Sequence, residues 1–303
     1  MPTSALHYTP QLMRMARISV AVAVIVLSLK FAAWAMTGSV ALYSDALESI
    51  VNVVTGLAAW WALAFAQRPA DANHPLGHQK AEYLSAVLEG VLISVAAALI
   101  IHDAVRSLLA PVPLVLPPLA IAISVLATAV NGYWARRLIS AGRRARSPAI
   151  EADGRHLMSD VVTTLGVLAG LALAAVFGWP AIDPAIALLV AVHLLMQGWS
   201  VIRASLAGLL DEAIEEDELE TVAQIIETHA AGALEIHDLV TRRSGPVTFI
   251  EFHLIVDGMM TVRQSHVICD RIERALREED PGARITIHVE PEEMAKPSGR
   301  VIA

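Results

Sequence analysis

The chain has 303 residues, 55% of them apolar and 17% charged, with a net charge of −8. An average soluble domain carries about 25% charged residues, so this balance excludes a disordered chain and argues against a wholly soluble one. A single cysteine, Cys269, excludes an intrachain disulfide framework and a cysteine-rich zinc knuckle, and the acidic balance argues against a nucleic-acid partner.

The apolar residues fill the first two thirds of the chain in six runs, near 13–36, 40–66, 84–108, 115–139, 156–177 and 183–202. Each approaches the ~20 residues that a helix needs to cross a hydrocarbon layer. The first run has a rival reading as a cleaved signal peptide. Arg14 and Arg17 precede the apolar stretch Ile18–Leu29, and Ala33, Trp34 and Ala35 fit a cleavage triplet. That reading leaves five spans and puts the positive loops on the wrong side. Lys30, within the run, is expected to snorkel or to pair with an acid.

The second run holds Asp45, Glu48 and Asn52 at steps of three and four, which place them on one stripe of a helix. The loop after it carries Asp71, His74 and His78 within eight residues, a second place for a metal ion, although histidines in a polar loop are ordinary. The fifth run repeats the stripe with Asp153, His156 and Asp160. Charges inside spans are costly and usually mark function. Packed together, Glu48, Asn52, His156 and Asp160 form a four-ligand nitrogen and oxygen site whose two carboxylates balance a dication. The alternative is a polar network that only joins helices. Glu89, His102 and His193 are read as non-ligands.

Positive charge gives the orientation. Arg14 and Arg17 precede the first run, Arg68 and Lys80 lie between the second and third, and Arg136, Arg137, Arg143, Arg144 and Arg146 separate the fourth from the fifth. The opposite linkers are nearly bare. Both termini are therefore expected in the cytoplasm, with the chain in the cell (inner or plasma) membrane. The expected organisation is a transmembrane domain over 1–207, a cytoplasmic domain over 208–291 and a C-terminal tail over 292–303.

The last third turns rich in Glu, Asp and Arg. Glu212–His229 is charged and amphipathic, so a helix. Leu234–Thr241 and Pro246–Val256 read as strands joined at Arg243–Gly245, Thr261–Glu278 as a helix stopped by Pro281 and Gly282, and Arg284–Glu290 as a last strand. The order αββαβ suggests a ferredoxin-like α+β domain. Strand alternation puts Thr248, Ile250, Phe252, Leu254 and Val256 on a core face and His253 on the other. His237, His288 and Glu290 also fall on non-core faces, and His266 comes from the second helix. Imidazole is the commonest metal ligand, so this set reads as a metal site against the alternative of a solvated sheet face.

Taken together these residues are familiar. Lys30-Phe-Ala-Ala-Trp-Ala-Met-Thr-Gly-Ser39, Ser44-Asp-Ala-Leu-Glu-Ser-Ile-Val-Asn52, Pro69 through Glu82, His156-Leu-Met-Ser-Asp160, His237 through Gly245, Phe249-Ile-Glu-Phe-His253 and Ile287-His-Val-Glu290 stand in matching order. Over nearly its whole length the chain resembles the cation diffusion facilitator family of divalent-metal/proton antiporters, particularly bacterial zinc and ferrous-iron efflux members. The resemblance implies a homodimer, with six helices per protomer and a cytoplasmic metallochaperone-like domain. It implies a transport site at Glu48, Asn52, His156 and Asp160, a loop site at Asp71, His74 and His78, and a binuclear cytoplasmic site at His237, His253, His266 and His288 with Glu290 bridging. It also implies a pairing of Lys80 with Asp211. Related members usually carry Asp, or His and Asp, where this chain has Glu48 and Asn52.

The expected activity is export of Zn2+, with Fe2+, Mn2+, Cd2+ and Co2+ as alternatives, in exchange for protons. The ion serves as substrate and regulator, and no organic cofactor is expected. The Asn52 carbonyl oxygen is a harder donor than imidazole and shifts the site toward Mn2+ or Fe2+. Two rivals are an intramembrane metal-dependent hydrolase, which lacks a His-Glu-x-x-His or Gly-x-Ser-x-Gly motif, and a membrane metal sensor or scaffold that does not transport.

Overall fold

The computed structural model describes residues 10–37, 40–109, 118–177 and 182–302, with the side chains at 37, 40–44, 47–48, 120, 167, 170–171, 174–176, 182–183 and 186–187 outside that description. Two compact units meet between Leu206 and Ala207.

The first unit is helical: α1 Pro10–Thr37, α2 Val40–Ala66, α3 Ala81–Leu109, α4 Pro118–Ala145, α5 Pro148–Phe177 and α6 Ile182–Leu209. Among the described residues, windows in α1, α2, α3 and α6 are long and apolar enough to cross a membrane. Large apolar side chains such as Trp61, Leu99, Leu189 and Trp199 stand exposed, while buried positions are dominated by small and polar residues. That inversion of the soluble pattern is what a lipid-facing bundle needs, since its helices join through small residues and hydrogen bonds.

Helix α1 packs on α2 and α4, α4 on α5, α2 on α3 and α5, and α3 on α5. Close approach of α4 and α5 depends on Gly154, where a Cβ atom would come within 2.8 Å of the Ile139 backbone nitrogen. The arginines expected between the fourth and fifth runs do not form a loop. Arg136, Arg137, Arg143 and Arg144 lie on α4 itself, and only a tight turn at Arg146 and Ser147 separates it from α5. Ala, Leu and Arg are strong helix formers, so the helix runs on after its apolar stretch ends. The start of α5 is tied down by the buried Glu82 of α3, which accepts from the Ser147 hydroxyl and, at 3.4 Å, from the Ala149 backbone N–H.

The second unit contains α7 Glu216–His229, β1 Glu235–Ser244, β2 Val247–Val256, α8 Val262–Glu279, β3 Arg284–Pro291 and β4 Arg300–Val301. The sheet order is β3-β2-β1-β4. Strands β1 and β2 form an antiparallel hairpin closed at Gly245, whose φ of 56° suits a residue without a Cβ. The parallel pair β2 and β3 needs a crossover, which α8 supplies. A capping box between Thr261 and Gln264 starts α8, and its buried face of Ser265, Ile268, Cys269, Ile272 and Leu276 follows the helical repeat. Those residues pack on Ile250, Phe252, Leu254 and Ile226 in one core.

Two features depart from the sequence reading. Residues expected to form only a tail return to the sheet as β4, paired with Glu235 and Ile236. Arg300 fastens this edge by donating to Glu227 at 3.0 Å and Glu220 at 2.9 Å, and the Arg300 guanidinium holds the Glu220 carboxyl below its usual range. A bulge also interrupts β1 between His237 and Val240, with Asp238 at φ 51°. The extra residue lets the strand run on to Ser244.

Candidate metal sites

Two helices bring the intramembrane stripes to face each other. Thr164 of α5 donates to Asp45 of α2 at 3.1 Å. The Lys30 ammonium of α1 donates to Asp45 Oδ1 at 3.0 Å and to Asp160 Oδ1 and Oδ2 at 2.8 and 3.1 Å. Asn131 of α4 donates to Asp160 Oδ2 at 2.5 Å. Lys30 and Asp160 are each 1% exposed. Asn52 follows Asp45 by two helical turns, and His156 precedes Asp160 by one, so each shares its partner's stripe. Both are buried, and among the described residues neither the two side-chain atoms of Asn52 nor the two ring nitrogens of His156 has a hydrogen-bond partner. Buried polar atoms normally are paired, so these atoms make Asn52 and His156 candidate ligands. The Glu48 side chain lies outside the described residues.

Asn131 is not among the residues singled out from the sequence. A lone amide in the apolar fourth run is its one signal, and only the helix packing identifies its acceptor. Of the two expectations for Lys30, snorkelling or pairing with an acid, the structure shows the second, and it bridges two acids from different helices. Asp153, on the stripe of α5, accepts from Ser19 of α1 at 2.5 Å instead of pointing at Asp160's partners.

In the loop after α2, the Asp71 carboxylate is set by backbone. Its Oδ1 accepts from the N–H groups of His74 at 2.7 Å and Asn73 at 2.9 Å, an Asx-type turn. The His74 amide foremost holds the Asp71 carboxyl below the usual carboxylate range. His74 Nδ1 lies 3.3 Å from Asp71 Oδ1, and His78 Nε2 lies 3.4 Å from Oδ2. His78 is buried edge-on against Phe65, and its Nδ1 faces the Arg68 carbonyl at 3.4 Å. A carbonyl can only accept, so that contact suits a proton on Nδ1 and leaves Nε2, which faces Asp71, as the candidate ligand atom. One ligand atom from each of Asp71, His74 and His78 lies within 4.8 Å of the others.

In the cytoplasmic unit, strand register builds the cluster. His237 pairs with His253 across β1 and β2, and His253 with His288 across β2 and β3, so three imidazoles stand in a row. Ring centroids are 5.1 and 4.9 Å apart. Glu290 reaches back over them: its Oε2 is 3.3 Å from His237 Nε2 and 3.2 Å from His253 Nδ1, and its Oε1 is 3.5 Å from His288 Nε2. Among the described residues, Glu290 Oε2, His237 Nε2 and His253 Nδ1 have no hydrogen-bond partner. His237 Nδ1 is held by Glu235 at 3.0 Å, which orients the ring as outer-sphere carboxylates do around metal-bound histidines. Donor set, spacing and unpaired atoms all fit a divalent ion. His266 does not join this group. It stands on α8, 73% exposed and paired with Asp270 at 3.6 Å, and shares with Glu290 only the lining of a cavity of about 420 Å3. Of the remaining pair, Lys80 belongs to the helical unit, and Asp211 belongs to the cytoplasmic unit, where Arg242 donates to it at 3.1 Å.

Known proteins are similar to this chain. The chain matches the cation efflux transmembrane domain over residues 16–210 and the cation efflux protein cytoplasmic domain over residues 214–292. It is 43% identical over 279 residues to the uncharacterized transporter sll1263 of Synechocystis sp., covering 92% of this chain and 90% of that one. It is 34% identical over 270 residues to the cation-efflux pump FieF of Yersinia enterocolitica, covering 88% of each. A solved CzrB chain in its zinc form matches 28% of this chain and 98% of its own at 47% identity, with a TM-score of 0.28. The protein is thus an integral membrane transporter and not an enzyme, which removes the hydrolase alternative. With both domains matched in order over most of its length, the chain belongs to the cation efflux, or cation diffusion facilitator, family.

Proposed function

We propose that the chain exports a divalent transition-metal ion, Zn2+ first and Fe2+, Mn2+, Cd2+ or Co2+ as alternatives, from the cytoplasm in exchange for protons. Glu48, Asn52, His156 and Asp160 are the transport ligands. The observation that carries this reading is the buried, unpartnered set of donor atoms on Asn52 and His156, on helices whose stripes meet at Asp45 and Asp160. Ion binding requires a neutral imidazole and ionised carboxylates, so protons and metal compete for the same atoms. Metal then leaves on the side where protons are more abundant, and protons return on the same ligands.

The arginines and Lys80 support a cytoplasmic placement of both termini and of the second unit. In this reading two protomers pair, and the cytoplasmic cluster of His237, His253, His288 and Glu290, without His266, holds ions that favour the dimer by linkage. Asp71, His74 and His78 offer a loading point near the cytoplasmic face.

Purified full-length protein in proteoliposomes tests this. With the lumen acidic, Zn2+ is expected to enter as lumenal pH rises, and collapse of the gradient is expected to stop uptake. Zinc binding without flux under any gradient returns the sensor alternative.

A further inference from the structure

The Lys30 ammonium is buried among the acids of the proposed transport site. A desolvated ammonium is costly unless it is paired, and two of its partners, Asp45 and Asp160, come from α2 and α5, the helices that carry the proposed ligands. It spans both oxygens of Asp160 and one oxygen of Asp45. Asn131 takes a further position on Asp160 Oδ2. A carboxylate offers about four lone-pair sites, so three of those on Asp160 are engaged. A dication bound to Asp160 stands next to a positive charge that lies within 2.8 Å of the same carboxylate, and in a low-dielectric interior that repulsion is strong. The two cations therefore exclude one another at Asp160.

Asp45 supplies the ammonium with somewhere to go. Its Oδ2 is buried and, among the described residues, has no hydrogen-bond partner, so Asp45 has free accepting capacity beside the ammonium it already holds. The lysine stem is flexible, and a shift of the ammonium from Asp160 toward Asp45 keeps it paired throughout. We infer that Lys30 is a tethered cation that competes with the transported ion for Asp160 and withdraws onto Asp45 when that ion binds. Lys30 is then a positioning residue that acts through Asp160. Its return helps to expel the ion, so it lowers affinity and raises turnover.

This inference rests on the transport reading of His156 and Asp160, and zinc flux into proteoliposomes containing the full chain separates the two. Lys30→Gln is expected to lower the KM for zinc about tenfold, equivalent to ~1.4 kcal/mol, and to lower the maximal rate. Asp45→Asn removes the second carboxylate, leaves the ammonium on Asp160, and is expected to raise KM about tenfold. The double variant is expected to show the KM of Lys30→Gln alone, and Lys30→Arg to stay near the native value. Unchanged or raised KM in Lys30→Gln, or losses that simply add in the double variant, overturn the inference while leaving transport standing. If Lys30→Gln fails to assemble, Asp45→Asn decides alone, because a merely structural role gives a lower rate with no rise in KM. Absence of zinc flux in the native chain removes the transport reading and this inference with it.

Discussion

Replacing Asp160 by Asn is expected to cut zinc flux about a hundredfold or more, the scale on which disturbed metal sites lose function. Asn keeps the shape of the side chain and its hydrogen bond from Asn131 but carries no charge. The site loses one of the carboxylates that neutralise a dication at 1% exposure, where water offers little substitute. Breaking a buried ion pair by removing one partner costs about 3–5 kcal/mol when the other charge is stranded. Here Lys30 keeps Asp45, so the fold is expected to survive with a lowered melting temperature. Stopped-flow zinc uptake, with thermal melting of the same preparation, checks both halves. Native-like flux in Asp160→Asn takes this carboxylate out of the ion's path.

The second large effect belongs to Glu290. This carboxylate lies 3.2 to 3.5 Å from three imidazoles, and among the described residues no other acid is so placed. A ligand bound at a hundred times its Kd stabilises the folded state by ~2.7 kcal/mol. Glu290→Gln keeps the volume and removes the charge that lets one group bridge two imidazole-bound ions. Its zinc-dependent stabilisation at the same zinc concentration is expected to fall below ~0.5 kcal/mol, which corresponds to a Kd raised about a hundredfold. Calorimetry of the full chain with and without zinc reads this. Flux is expected to persist, because the cluster is proposed to regulate and not to carry. A native-sized zinc shift in Glu290→Gln contradicts the bridging assignment.

Much of this architecture is written in local pattern. Long apolar runs mark the helices because a bilayer demands length, and two-residue alternation places His253 opposite Phe252 and Leu254. The row of histidines is also legible in outline, but its register is not. The bulge at Asp238 decides which residue of β1 faces His253, and no propensity announces it. Tertiary partners are likewise invisible. Asn131 and Lys30 meet Asp160 from helices α4 and α1, 29 and 130 residues away in sequence. The end of the fourth apolar run does not mark the end of α4, because helix propensity carries the helix on through Arg136, Arg137, Arg143 and Arg144. Strand β4 escaped notice because two residues have no period; it exists through Arg300 and its two glutamates.

Locating zinc in the loaded full-length protein by anomalous scattering at the zinc absorption edge tests the account most directly. The account predicts a peak in the helical unit about 2.0–2.2 Å from His156 and Asp160, with ligands from the α2 stripe completing it. Peaks confined to the loop and cytoplasmic clusters, in protein that carries zinc across the bilayer, contradict it.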